Sequence, residues 1–183
     1  MPNTELPMTA QPWSAHAIPP GTYLADPARS QLSFRAKAFG LIWVHGHMPA
    51  VGGTIHVTEG RLRGTGEVAA SRVSTGLRAR DWHLRTRHYL HTTRHPNIQL
   101  SVDDADIASG HADFRVIARG KPASIGLELD SVQVSDGTLR LQAHGTIDRS
   151  PFGMLPPPYG VSRLVHVVLT VVATPAATHR ERQ

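Results

Sequence analysis

The tightest constraint on this chain is a period of two that returns between turn signals along most of its length. In QLSFRAKA (31–38), Leu32, Phe34, Ala36 and Ala38 alternate with Ser33, Arg35 and Lys37. Successive side chains of an extended strand point to opposite faces, so this run is apolar on one side and polar on the other. The same alternation sets Ile55 with Val57, Ile98 with Leu100 and Val102, and Phe114 with Val116 and Ala118. It also sets Ile125 with Leu127 and Leu129, and Leu139 with Leu141, Ala143, Gly145 and Ile147. IWVHGHM (42–48) and the β-branched run VHVVLTVVA (165–173) read as strands as well.

Turn residues punctuate these runs: Gly52-Gly53, Glu59-Gly60, Ser109-Gly110, Gly120-Lys121-Pro122 and Asp136-Gly137. A glycine-rich strand near 61–70 brings the total to about eight or nine short, one-sided strands, the pattern of an antiparallel barrel or sandwich. Gly64 and Gly66 on one strand suit a sharp bend at a barrel corner. Only residues 78–91 break the period. Leu77, Asp81, Leu84 and His88 recur at helical spacing, which predicts one short helix near 79–90.

A chain of 183 residues suits one domain. Residues 1–21 carry five prolines without periodicity and read as a disordered arm, and 175–183 read as a flexible tail around a domain at 22–174. The first residues have neither a basic nor an apolar signal-peptide region, and no run is long enough to span a membrane as a helix, so the expected location is cytoplasmic. The absence of cysteine excludes disulfides, thiolate metal sites and a thiol nucleophile.

Lysine and arginine number 19 against 14 acids, for a net charge of +5, and seventeen of the nineteen are arginine. Five arginines and four histidines crowd into RARDWHLRTRHYLHTTRHP (78–96), with Asp81 the lone acid. Arg80, His83 and Arg85 are candidates to receive an anionic head group, because a guanidinium donates in a fixed fork that matches phosphate. The competing reading has Asp81 pairing with a neighbouring arginine or capping the helix, so that the block merely closes the barrel end. Arg78, Arg87 and Arg94 read as solvated charges. His45 and His47 share a strand face and His88, His91 and His95 recur at helical spacing, but no carboxylate stands ready to complete a metal site, and none is expected. Nucleic acid is not an expected partner, since aromatics are few and acids are mixed among the bases. Ser150 and Ser162 lack a nucleophile-elbow pattern, and GTGEVAA lacks a phosphate-loop lysine. The aspartates at 103, 104 and 106 read as an acidic turn.

Several motifs then line up in order. Tyr23, Asp26 and Ser30 precede the Leu32/Phe34 strand, and Val44-His45-Gly46 follows. Ser74-Thr75 leads to Arg80-Asp81-Trp82-His83-Leu84-Arg85, then to Tyr89-Leu90 and Pro96-Asn97-Ile98-Gln99-Leu100. Gly120-Lys121-Pro122 and Ile147-Asp148-Arg149-Ser150-Pro151-Phe152-Gly153-Met154 complete the set. Over residues 22–174 the chain resembles the YceI-like, polyisoprenoid-binding family. The resemblance implies a lipocalin-like, eight-stranded antiparallel barrel that holds a long isoprenoid chain, in proteins that are often dimers. Ala118 stands where the family usually has glycine, Leu90 where phenylalanine is common, and LPPPYG (155–160) is rich in proline.

The expectation is therefore an all-β protein, an antiparallel up-and-down barrel of eight strands with one short helix. It is expected to bind an isoprenoid or other long-chain amphipathic lipid without catalysis, to form a homodimer, and to need no cofactor. Phe34, Ile98, Leu100, Phe114, Val116 and Leu127 point inward by alternation, either as plain core or as ligand wall. Leu84, Tyr89, Phe152 and Met154 are the further candidates for contact with the tail. Phe152 and Met154 act either as a plug or as a packed loop with Gly153 in a left-handed turn. The alternative function is a structural or stress-response dimer without a lipid, built on an exposed valine face of the last strand (Val165, Val167, Val168, Val171, Val172).

Overall fold

The alternating runs pair into nine strands among the described residues: β1 (Gly21–Ala25), β2 (Gln31–Ala38), β3 (Ile42–Thr58), β4 (Arg61–Ala69), β5 (Asn97–Asp106), β6 (His111–Ala118), β7 (Lys121–Ser135), β8 (Thr138–Asp148) and β9 (Leu164–Pro175). One helix, α1 (Arg78–Arg85), lies between β4 and β5. The computed structural model describes residues 18–154 and 160–177. Each strand from β2 to β9 pairs antiparallel with the next, and β9 returns to β2, so the ring closes up-and-down as the resemblance implied. The ninth strand does not widen it. β2 pairs with residues 42–49 of β3 and 166–170 of β9, whereas β1 pairs with 54–57 of β3 and 173–175 of β9. β1 and β2 thus share one seat end to end, and every level of the barrel has eight strands.

Two-residue turns with both residues at positive φ connect β3 to β4 (Glu59-Gly60), β6 to β7 (Arg119-Gly120) and β7 to β8 (Asp136-Gly137). Such turns match the right-handed twist of the strands they join. The signal at Gly120-Lys121-Pro122 therefore sits one residue late, since Lys121 already opens β7.

The structure corrects other expectations. Gly52-Gly53 is no turn; it lies inside β3, beside a bulge between Ala50 and Gly52 and opposite Gly66. A β-carbon on Gly53 would stand 2.8 Å from the Thr65 carbonyl oxygen, so glycine lets two bent strands approach closely. Gly64 flanks a second bulge, between β4 and β5, as the bend reading required. The aspartates 103, 104 and 106 belong to β5 instead of a turn; Asp104 takes a two-pronged ion pair from Arg61 (2.5 and 2.6 Å), and the Asp106 carboxylate accepts the Ala108 amide. The helix stops at Arg85 and not near residue 90. Thr86 is extended, its hydroxyl bonds the His83 carbonyl at 2.7 Å, and the Leu90 amide turns back to the Leu84 carbonyl at 2.9 Å.

Inward-facing Leu32, Val57, Ile98, Phe114, Val116, Leu127, Leu139 and Leu141 form the core, with Phe34 and Leu100 half-buried against it. None of the five valines of β9 is exposed: Val167 and Val172 are buried, the other three half-buried. Val165, Val167 and Val171 line the barrel interior, while Val168 and Val172 take the opposite parity on the outer face, half-buried and buried, so the exposed valine face of the alternative function is not found on β9. Ile18 is buried and the Ala176 amide donates to the Thr22 carbonyl, so the chain is held against the barrel on either side of the β1–β9 pair. The expectations for residues 1–17, for 155–159 and for 178–183 fall outside the described residues.

Candidate functional site

Eight strands leave an interior just wide enough for side chains or one small ligand. Which of the two occurs depends on the size of the inward residues. Here Ala36 and Ala118 stand at inward positions near the helix end of the barrel, and a cavity of about 140 Å³ lies between them. Phe34, Ile98, Leu100, Val116 and Leu127 line it from the strands. Leu84, Tyr89, Phe152 and Met154 close it from α1, the turn after α1, and the loop after β8. Nine of the residues expected to contact ligand therefore meet on one wall. Leu90 and Ala118, the two departures from the family pattern, are on that wall too.

Phe114 is placed elsewhere. It lines a second, smaller cavity of about 80 Å³ toward the other end, floored by Gly52, Gly53, Gly64 and Gly66. Leu100 lines both cavities and stands between them.

Among the described residues, Tyr89 and Arg149 are the only polar side chains on the wall of the larger cavity. Arg149 is 5% exposed. Its Nε donates to the Ser162 carbonyl at 2.9 Å, Nη2 to the Val161 carbonyl at 2.7 Å and Nη1 to the Met154 carbonyl at 3.3 Å. Its guanidinium lies 5.6 Å from the centre of the Tyr89 ring. Burial lowers the arginine's pKa, against the pull of Tyr89 and Asp148, and burial raises that of Tyr89, against Arg149. The partners of this buried cation are neutral carbonyls and a ring face; among the described residues it forms no ion pair. Sequence reasoning passed Arg149 over, although the period of two in β8 carries on from Ala143, Gly145 and Ile147 to residue 149 and marks it as inward.

Arg80, His83 and Arg85 are not on the wall. Arg80 donates to the Thr75 hydroxyl (2.7 Å) and carbonyl (2.8 Å), and Arg85 to the Val73 carbonyl (3.0 Å). Asp81 neither caps α1 nor pairs with an arginine; it is buried and accepts from the Thr75 amide (2.7 Å) and hydroxyl (2.5 Å). Together Arg80 and Asp81 grip one threonine, whose neighbour Ser74 exchanges backbone hydrogen bonds with His47 of β3. The block that looks like a head-group grip thus fastens the helix over the barrel end. His83 only packs edge-on against Tyr89, with ring centres 5.1 Å apart. His45 and His47 are exposed on the outer face of β3, and His91 and His95 pack ring to ring at 5.8 Å off the helix. No group of three or more metal-ligating side chains occurs among the described residues.

A closed up-and-down barrel with an apolar hollow, roofed by one helix and one loop, defines the class of lipocalin-like β-barrels. The YceI-like domain model matches residues 23–173, and the chain belongs to that family. Solved structures agree on the fold. BcnA of Burkholderia cenocepacia superposes with a TM-score of 0.72 at 14% identity, over 82% of this chain and 99% of that one. A polyisoprenoid-binding domain of Saccharophagus degradans implicated in plant cell wall breakdown gives 0.65 at 15% identity, over 86% and 100%. The YceI protein of Campylobacter jejuni gives 0.56 at 17%, over 73% and 86%. No curated protein matches the sequence.

Proposed function

We propose that the barrel binds an isoprenoid or other long-chain amphipathic lipid, tail inward, without chemistry. The observation that carries this reading is the wall of the 140 Å³ cavity, which is apolar throughout; among the described residues Tyr89 and Arg149 are the polar residues that border it, with the Arg149 nitrogens turned to backbone carbonyls. Each methylene moved from water into such a wall contributes about 0.8 kcal/mol, so a tail needs no polar anchor to bind. The naming of a relative as a polyisoprenoid-binding domain supports the same ligand class. Arg149 is the head-group partner in this reading, in place of Arg80, His83 and Arg85. Its charge lacks a carboxylate, and a charge buried without a counter-ion is costly.

The size of the hollow sets a condition. It resembles the cavity of about 150 Å³ that accepts a benzene ring. A longer tail has to enter the second cavity as well, past Leu100. Purified protein stripped of lipid and incubated with farnesol, hexadecanol or hexadecanoate should show, by native mass spectrometry, one bound molecule. Protein that takes up none of the three, at concentrations where a fatty-acid-binding protein saturates, ends this reading.

A further inference from the structure

Five of the nine large hydrophobic side chains most exposed among the described residues gather at one place. Phe39 (66% exposed), Leu41 (85%) and Ile42 (61%) form the tip of the hairpin that joins β2 to β3. Trp43 (41%) stands on the outer face just below, and Leu164 (46%) opens β9 nearby. Ile42 opens β3 opposite Ala38 and Leu41 stands in the turn before it, and neither side chain reaches the core. Arg35 and Lys37 flank the tip on the outer face of β2, with cationic groups 5.0 and 5.2 Å from the centre of the Trp43 ring. Neither forms an ion pair among the described residues.

This tip belongs to the roofed end of the barrel. Ala38 bridges to Val161, the Phe39 amide donates to the Gly160 carbonyl, and the Ser162 amide donates to the Lys37 carbonyl. Val161 lines the larger cavity, and its carbonyl holds Arg149.

We propose that this hairpin tip is a docking surface for an anionic lipid membrane, into which Phe39, Leu41, Ile42 and Trp43 insert while Arg35 and Lys37 meet acidic head groups. The charge argues for a membrane over a second copy of this chain. A two-fold contact through the tip would bring each pair of cations toward the same pair on its partner, whereas an acidic leaflet neutralises them. An indole flanked by cations beside aliphatic side chains is the composition that sits at the head-group level of a bilayer. Contact there places the cavity end beside the lipid source. The proposal goes beyond the ligand reading and stands whether or not the cavity holds a lipid.

The test is co-sedimentation of the full chain with vesicles of phosphatidylcholine alone and of phosphatidylcholine with about 30% phosphatidylglycerol. The wild type should bind the acidic vesicles and lose them as salt rises. Removing two cations with Arg35→Gln and Lys37→Gln should weaken binding about 30-fold. Leu41→Glu should weaken it at least tenfold, on the order of one buried leucine. Because residue 41 is exposed, its variant should melt with the wild type and take up hexadecanoate equally well, which separates docking from ligand capture. The proposal is overturned if the wild type ignores acidic vesicles, if Leu41→Glu binds them as before, or if that change dissociates a dimer while vesicle binding persists.

Discussion

Phe34 of β2 faces Gly46 of β3, and its ring edge fills the place that a β-carbon on residue 46 would take. The Ser74 carbonyl oxygen crowds the same point, 2.9 Å away. The strand pair thus trades one side chain for the position of another, and the ring so placed forms part of the cavity wall. Gly46→Ala should force Phe34 off its rotamer and cost about 1–3 kcal/mol, the usual range for overpacking. Urea unfolding measures that loss, and ligand uptake should fall with it. An unaltered midpoint would mean that the ring is not held there.

Arg149 carries a second expectation. Arg149→Met keeps the bulk but leaves the Ser162 and Val161 carbonyls without their donor, at a cost of about 1–3 kcal/mol. If Arg149 meets the head group, hexadecanoate should bind wild type more tightly than hexadecanol does, and the methionine variant should lose that preference while still binding the alcohol. Titration of both ligands into both proteins measures it. An equal preference before and after the change removes Arg149 from the head-group role.

The strands were legible because burial on one face forces a period of two, and closure was legible only through the ordered motifs. Gly52-Gly53 misled because glycine serves both a turn and a close strand crossing, and only the partner strand with Gly66 decides between them. The arginines of 78–96 misled for a related reason. A guanidinium fits a backbone carbonyl as well as a phosphate, and the carbonyls that claim Arg80 and Arg85 belong to a loop whose path no local pattern specifies. Arg149 was within reach, because strand parity continues past β8. The exposed hairpin tip was not, since a period-two reading assigns Ile42 inward and does not know where the barrel wall stops.

Leu100 tests whether the two cavities act as one. It borders both, so Leu100→Ala should open a passage between them. The change should cost about 2 kcal/mol as a truncated, half-buried leucine. It should also shift the preferred chain upward in length, which a series of saturated acids from ten to about twenty carbons measures, each added methylene being worth up to about 0.8 kcal/mol while it finds room. An unchanged length optimum would show that the smaller cavity takes no part.

Acid should weaken the barrel in two separate steps. His91 is held below its ordinary pKa of 6.5, first by burial, then by His95, Arg119, Arg94 and Arg87. The unfolded chain therefore takes up that proton before the folded one, so stability falls as pH drops from 6.5 toward the folded value. Asp104, bonded by Arg61, and Asp148, bonded first by the Ser150 amide, are held below their ordinary 3.8. Their contribution is complete above that pH and disappears as pH falls through their folded values. Melting temperatures from pH 8 to 3 should show both declines. His91→Gln should erase the upper one and leave the lower, whereas Asp104→Asn should shrink only the lower. A single decline confined below pH 4 in the wild type would show that neither burial nor the cations around His91 shift its titration.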